Sequence, residues 1–119
     1  MRARLTMSER GDVLQLKRRI GFAESKDAER FVVVQATALN ATLPTLLTVP
    51  LDTQVQIYGR LPIAVRVSAA EAGASRDHVA IASFVRVVRS DQFAPGRVGR
   101  LRDATLAELD ERLRLVLDL

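Results

Sequence analysis

The sequence predicts a mainly β, α+β fold: a small, strongly bent antiparallel barrel with a C-terminal amphipathic helix packed on its outside. Three observations predict it. First, two runs of aliphatic and β-branched residues, Phe31 to Val34 and Leu46 to Val49, are too short for helices and are separated by Asn40 and Pro44, so they read as adjacent buried strands. Second, further short apolar runs, each bounded by turn residues, bring the strands ahead of the C-terminal segment to five or six. Third, Leu106, Leu109, Leu113, Val116 and Leu117 fall on one helical stripe at the end of the chain.

Residues 1 to 10 show no period and read as a loose tail, with Met7 an alternative start and the domain running from 11 to 119. Gly11-Asp12 is a turn signal that opens a first strand, Val13 to Leu16, and the basic Lys17-Arg18-Arg19 follows it. Residues 20 to 29 are small and polar; a loop of that length, bridging to the second strand, covers something rather than merely connecting. The third strand, Leu46 to Val49, gives way to the polar Asp52, Thr53 and Gln54. The stretch 55 to 62 fits either a short strand or a mobile loop closed by Gly59 and Pro62, and it carries Tyr58, the only Tyr.

Ile63 to Val67 alternates apolar and polar around Arg66, the pattern of a half-buried strand. Residues 68 to 76, rich in Ala, Ser and Gly, form a turn or short helix. Residues 78 to 88 are apolar on both sides of a period of two, which predicts one long, central strand, straight or bent. Turns around Phe93 lead to a short final strand, 97 to 101. Thr105 and Glu108 have the spacing of a capping box, and Glu108 with Arg112 and Asp110 with Arg114 are spaced as ion pairs on the outside of the helix. That helix serves as core or dimer surface, since its polar face is acidic and unsuited to a membrane.

With 119 residues the chain forms one domain. It has no cysteine, so disulfides and thiolate metal sites are excluded. No apolar stretch approaches the ~20 residues of a membrane span, and a cytoplasmic protein is expected. The formal charge of +4 conceals an asymmetry: residues 60 to 102 hold eight Arg against three acids, while 103 to 119 hold five acids against Arg112 and Arg114. Arg outnumbers Lys sixteen to two. The planar guanidinium fork matches phosphate, which points to an anionic polymer as partner, although an Arg-rich genome composition gives the same count.

If the second and third strands are antiparallel, Arg30 comes beside Asp52 and Thr53 at one sheet rim. The arrangement is either an ion pair trimming the edge or a site. Rival chemistries lack their residues. His78 is the only His, no cluster has metal-ligand spacing, no glycine loop leads into a helix, and Ser83 and Ser90 lack a nucleophile elbow. No metal or other cofactor is expected. Arg, Asp and Thr near a basic surface suit the stabilisation of a phosphoryl transition state.

The order Arg-Gly-Asp-Val, Arg-Phe-Val-Val-Val-Gln, Val49-Pro50-Leu51-Asp52-Thr53-Gln54, then Phe84-Val85-Arg86, Gly-Arg-Leu and a closing Ala-Glu-Leu helix resembles the MazF/PemK-like toxins from Arg10 to Leu119. The resemblance implies an SH3-like barrel, a homodimer, a cognate antitoxin and a groove for single-stranded RNA. It also implies sequence-selective, metal-independent endoribonuclease activity, in which the ribose 2′-hydroxyl attacks its own phosphate and leaves a cyclic phosphate and a 5′-hydroxyl. The family's strand-opening arginine is matched by Arg30, and its catalytic Thr by Asp52 or the neighbouring Thr53. Asp52 would take the 2′-hydroxyl proton, and Thr53 would position the scissile group.

Where the family has Asp-Gln, this chain has Ser83-Phe84, followed by Arg86; its usual Pro is Phe31 and a common Ser is His78. Lys17, Lys26, Arg66 and Arg86 are further candidate RNA contacts, with Tyr58 and Phe84 able to stack on bases and Ser83 beside them. Two alternatives stand beside the nuclease. One is a catalytically silent relative that binds RNA or antitoxin, and the other is a gyrase-inhibiting toxin of the same fold.

Overall fold

The two apolar runs are neighbouring strands because each alternates between two buried faces. β2 (Arg30–Val33) and β3 (Thr45–Asp52) pair antiparallel, with Phe31 opposite Pro50, Val32 opposite Val49 and Val33 opposite Thr48. The computed structural model describes residues 8–17 and 29–119; expectations for 1–7, for nearly all of the loop ahead of β2, and for Lys26 lie outside the described residues. β1 (Asp12–Gln15) lies on the free edge of β2 and β7 (Gly99–Arg100) beyond it. On the far edge of β3 come β5 (His78–Ile81) and then β4 (Ala64–Val67), giving the order β4-β5-β3-β2-β1-β7. β6 (Arg86–Arg89) also pairs with β3. Together they form a strongly curled half-barrel with a C-terminal helix, α4 (Asp103–Leu117).

The long strand expected over 78–88 is broken. β5 meets the end of β3, with Ala80 opposite Leu51, and β6 meets its start, with Arg86 opposite Thr48. Between them residues 81–85 face only Val49 and Pro50, and Ala82–Phe84 coil into a 3₁₀ turn. Pro50 has no N–H for a ladder and sits opposite this break, so pairing stops there at little cost. β5 remains central, as its two apolar sides suggested, whereas β6 pairs, among the described residues, with β3 alone.

Two cores follow from strand parity. Val13, Val32, Val49, Val65, Val67, Ala80 and Leu109 form one, covered by Leu106, Leu113 and Val116 of α4. Leu14, Leu16, Phe31, Val33, Leu46, Val88 and Phe93 form the other, where the rings of Phe31 and Phe93 meet edge to face at 5.8 Å. The segment after β6 returns to β1, where Leu16 bridges Phe93 and the amide of Lys17 donates to the Gln92 carbonyl.

Several local expectations are corrected. The ambiguous 55–62 stretch opens with one helical turn, α2 (Val55–Tyr58). The 68–76 segment holds α3 (Ala69–Ala72), and its capping box is Ser68 with Glu71. α4 starts at Asp103, so Thr105 is a buried residue inside the helix rather than its cap. Its amide-rich end is met instead by Glu71, whose Oε2 accepts from the Arg102 amide at 2.9 Å. Arg112 does reach Glu108, at 3.5 Å, but the Asp110 carboxylate is bonded to Arg10, and Leu117 is exposed. Arg10, expected in the loose tail, instead donates from Nε to the Val34 carbonyl, which fixes the chain ahead of β1. Among the described residues no helix is long and apolar enough to cross a membrane.

Candidate functional site

One end of the sheet collects the chemistry. Gln15 of β1 pairs with Arg30, the first residue of β2; Arg30 pairs with Leu51; Asp52, the last residue of β3, pairs with Val79, and Val79 with Arg66. Lys17 lies just beyond β1 at the same end and is exposed. The antiparallel arrangement therefore brings Arg30, Asp52 and Thr53 to one rim, together with Lys17 and Arg66.

Register then divides them. Residues directly opposite in a ladder share a face, and neighbours along a strand do not. Arg30 is opposite Leu51, so its side chain leaves on the face of Val32, Val49 and the α4-covered core. Asp52 leaves on the other face, in one row with Val79 and Arg66. Arg86, opposite Thr48, shares that second face, and its guanidinium lies 5.8 Å from the centre of the Phe31 ring, a cation–π distance. Arg66 and Asp52 are two strands apart, roughly 10 Å.

Local bonds orient the rim. Asp52 Oδ1 accepts from the Gln54 amide at 2.7 Å, and the Val55 amide donates to the Thr53 carbonyl at 2.9 Å, so the chain turns sharply into α2 with Thr53 half-buried at the bend. Tyr58 ends α2 and is half-buried. Ser83 and Phe84 stand on the 3₁₀ turn opposite Pro50, both exposed, Phe84 by 47%. The substitution of these two for Asp-Gln thus puts an accessible aromatic ring where an amide was expected. No group of three or more His, Asp or Glu able to hold a metal stands together among the described residues.

Arg30 Nη2 donates to the carbonyl of Gly73 at 3.2 Å, a contact the sequence reading missed. Gly73 closes α3 in the left-handed region, φ 64° and ψ 39°. The signal was present as Ser68-Ala-Ala-Glu71-Ala-Gly73, a cap, its reciprocal Glu and a terminating glycine. Glu71 is buried; its Oε1 accepts from the Ser68 amide and hydroxyl at 3.1 and 3.0 Å, and Arg102 approaches at 3.4 Å. Burial alone would raise the Glu71 carboxyl, but hydrogen bonds from Thr105, the Arg102 amide and Ser68 outweigh it and lower its pKa to about 2.

Residues 9–117 match the family model for the PemK-like, MazF-like toxin of type II toxin-antitoxin system. Comparison with curated proteins finds no match. Among solved structures the chain is similar to an endoribonuclease in complex with its cognate antitoxin from Mycobacterial species, at 17% identity and TM-score 0.72 over 97% of both chains. It is also similar to Mycobacterium tuberculosis toxin MazF-mt6, at 16% identity and TM-score 0.72 over 91% of this chain and 97% of that one. A third likeness is to MazE-MazF (Form-II) from Deinococcus radiodurans, at 16% identity and TM-score 0.75 over 96% and 98%.

Proposed function

The chain belongs to the PemK-like, MazF-like toxin family of type II toxin-antitoxin systems, and from that premise we propose that it is an endoribonuclease that cuts single-stranded RNA at the rim carrying Arg30, Asp52 and Thr53. The family match over residues 9–117 carries this reading. The concentration of cations at the same rim supports it, since phosphate neutralisation supplies most of the affinity of such interfaces.

The RNA backbone crosses the end of the sheet. Arg30 donates to the non-bridging oxygens and to the departing 5′-oxygen. Asp52, with Oδ1 committed to the Gln54 amide, takes the 2′-hydroxyl proton on Oδ2. Thr53 hydrogen-bonds the scissile group from the bend. The 2′-oxygen bonds to phosphorus, the bond to the 5′-oxygen breaks, and that oxygen takes a proton from solvent, leaving a cyclic phosphate and a 5′-hydroxyl. Because Arg30 and Asp52 leave the sheet on opposite faces, the scissile ribose must straddle the strand ends rather than lie in either face. Lys17, Arg66 and Arg86 hold flanking phosphates, and Phe84 and Tyr58 stack on bases, which gives the cut its sequence preference. The working protein is a homodimer restrained by a cognate antitoxin.

Incubating the antitoxin-free protein with a long unstructured RNA in EDTA and mapping 5′ ends tests the reading. Discrete cuts bearing 5′-hydroxyls are expected, and Arg30→Ala is expected to lower cutting by roughly 10²–10³-fold while leaving the oligomeric state unchanged. Undiminished cutting by that variant removes Arg30 from the reaction. The Ser83-Phe84 pair favours one second reading, a silent module that binds without cutting; intact RNA that nonetheless shifts on a gel would select it.

A further inference from the structure

We infer that Gly73 and Glu71 are positioning residues for Arg30: α3 is a fixed peg whose terminal carbonyl orients the guanidinium, and the Glu71 carboxylate holds the peg. The inference deepens the proposed function and rests on Arg30 being the phosphate-binding group.

An arginine at the end of a strand has several rotatable bonds and would sample many rotamers, so a bidentate grip on phosphate needs its plane set beforehand. The Gly73 carbonyl, 3.2 Å from Arg30 Nη2, sets it. That carbonyl has little room to move. A Cβ on Gly73 would lie 1.9 Å from the Val98 carbonyl oxygen, and one on Gly99 would lie 2.1 Å from the Glu71 carbonyl oxygen. The backbone ending α3 and the backbone of β7 are thus in direct contact, with no side chain between them. The amide of Ala74 donates to the Ala69 carbonyl at 3.0 Å and closes the turn.

Two residues back along the chain, the Glu71 carboxylate joins two segments, α3 and the start of α4. It caps α3 through Ser68, accepts the Arg102 amide at the start of α4, and bonds Thr105 in the first turn of that helix. A shift of α3 large enough to part the Gly73 carbonyl from Arg30 would have to break this set. The path from Glu71 to Arg30 therefore runs through a single covalent stretch, 71 to 73, clamped at its start by a carboxylate and at its end by two glycines.

Glu71→Gln tests the idea, because it keeps the shape of the side chain and removes the charge. On a short single-stranded RNA, well below the melting temperature of the variant, kcat is expected to fall about tenfold or more with KM within about threefold of the parent. A purely structural role leaves kcat unchanged while the melting temperature falls. In an Arg30→Lys background, where no guanidinium plane remains to be set, the same substitution is expected to change kcat by less than about twofold. An equal loss in both backgrounds overturns the inference.

A readout independent of cleavage is the ¹⁵N NMR signal of the Arg30 guanidinium, assigned by its loss in Arg30→Lys. Slow rotation in the parent and averaging in Glu71→Gln are expected, and identical spectra overturn the inference whether or not the protein cuts RNA. Loss of cutting in Arg30→Ala with these two results negative rejects the positioning role alone; full cutting in Arg30→Ala removes Arg30 from the reaction, and intact RNA with the parent protein rejects the proposed function itself. Should Glu71→Gln fail to fold, Thr105→Val withdraws one donor from the same carboxylate and is read in the same way.

Discussion

Acid should selectively undo the Glu71 clamp. The carboxyl has a pKa of about 2 in the folded protein against an ordinary 4.5. A lowered folded-state pKa contributes stability that is complete above the unfolded value and is lost as pH falls toward the folded one. The gap converts to about 3 kcal/mol, fully present above about pH 5.5, about half gone near pH 3 and absent below about pH 2. Glu71→Gln is neutral at every pH, so the stability difference between parent and variant isolates this one group from the other carboxylates. At this chain length about 3 kcal/mol corresponds to roughly 12 °C in melting temperature. Urea unfolding followed by far-ultraviolet circular dichroism at constant ionic strength, from pH 6 down to 2.5, is the assay. The gap should narrow steadily across that range. A gap of constant size would mean that the carboxylate is not ionised preferentially in the fold, and the clamp argument would fail with it.

Gly73→Ala forces a left-handed conformation on a side chain that meets the Val98 carbonyl at 1.9 Å, so a loss of about 3 kcal/mol or more in urea unfolding is expected, and a loss under about 1 would contradict the contact. Asp12→Ala strips a buried carboxylate that accepts from the Glu9 amide at 2.9 Å, Arg97 at 3.1 Å and Arg100 at 2.7 Å; with both arginines partly in solvent the cost should be about 2 kcal/mol, below the ~3–5 of a fully buried pair, by the same measurement. Phe84→Ala, at a 47% exposed position, should leave stability within about 0.5 kcal/mol and weaken RNA binding by about 1–3 kcal/mol in fluorescence anisotropy; unchanged affinity would take the ring out of the RNA path.

The family, the α+β class and the C-terminal helix could be read from the chain because each rests on periodicity or residue order over many positions. Val65 and Val67 point into the core around an exposed Arg66 as the alternation required, and Leu106, Leu109 and Leu113 cover that core. What eluded the sequence was decided by partners distant along the chain. Nothing local distinguishes Thr105 as a cap from Thr105 as a buried donor to Glu71, thirty-odd residues away; the choice is made by packing α3 against the start of α4. The same holds for Asp110, whose i,i+4 cation is Arg114 but whose partner in space is Arg10. The break at Ala82–Phe84 had a signal, Pro50, but on the strand opposite rather than within the run itself.

Register is the deepest of these distant decisions, because a one-residue change in pairing exchanges the faces of every side chain on a strand. With Arg30 against Leu51, the rim presents the Arg30 guanidinium on the α4 side and Asp52 and Arg66 on the other, a face that Arg86 shares farther along β3. Had Arg30 paired with Asp52, the two would form an ordinary cross-strand ion pair, stabilising the edge by well under about 1 kcal/mol and neutralising each other. Separated across the pleat, neither satisfies the other. The guanidinium takes a backbone carbonyl from α3, and the carboxylate takes a backbone amide from its own turn. Neither is committed to the other at the strand ends, which is the condition an arginine and an acid must meet if they are to act on a third, anionic group. The register that parts the two residues therefore keeps the proposed site from closing into an Arg30–Asp52 salt bridge.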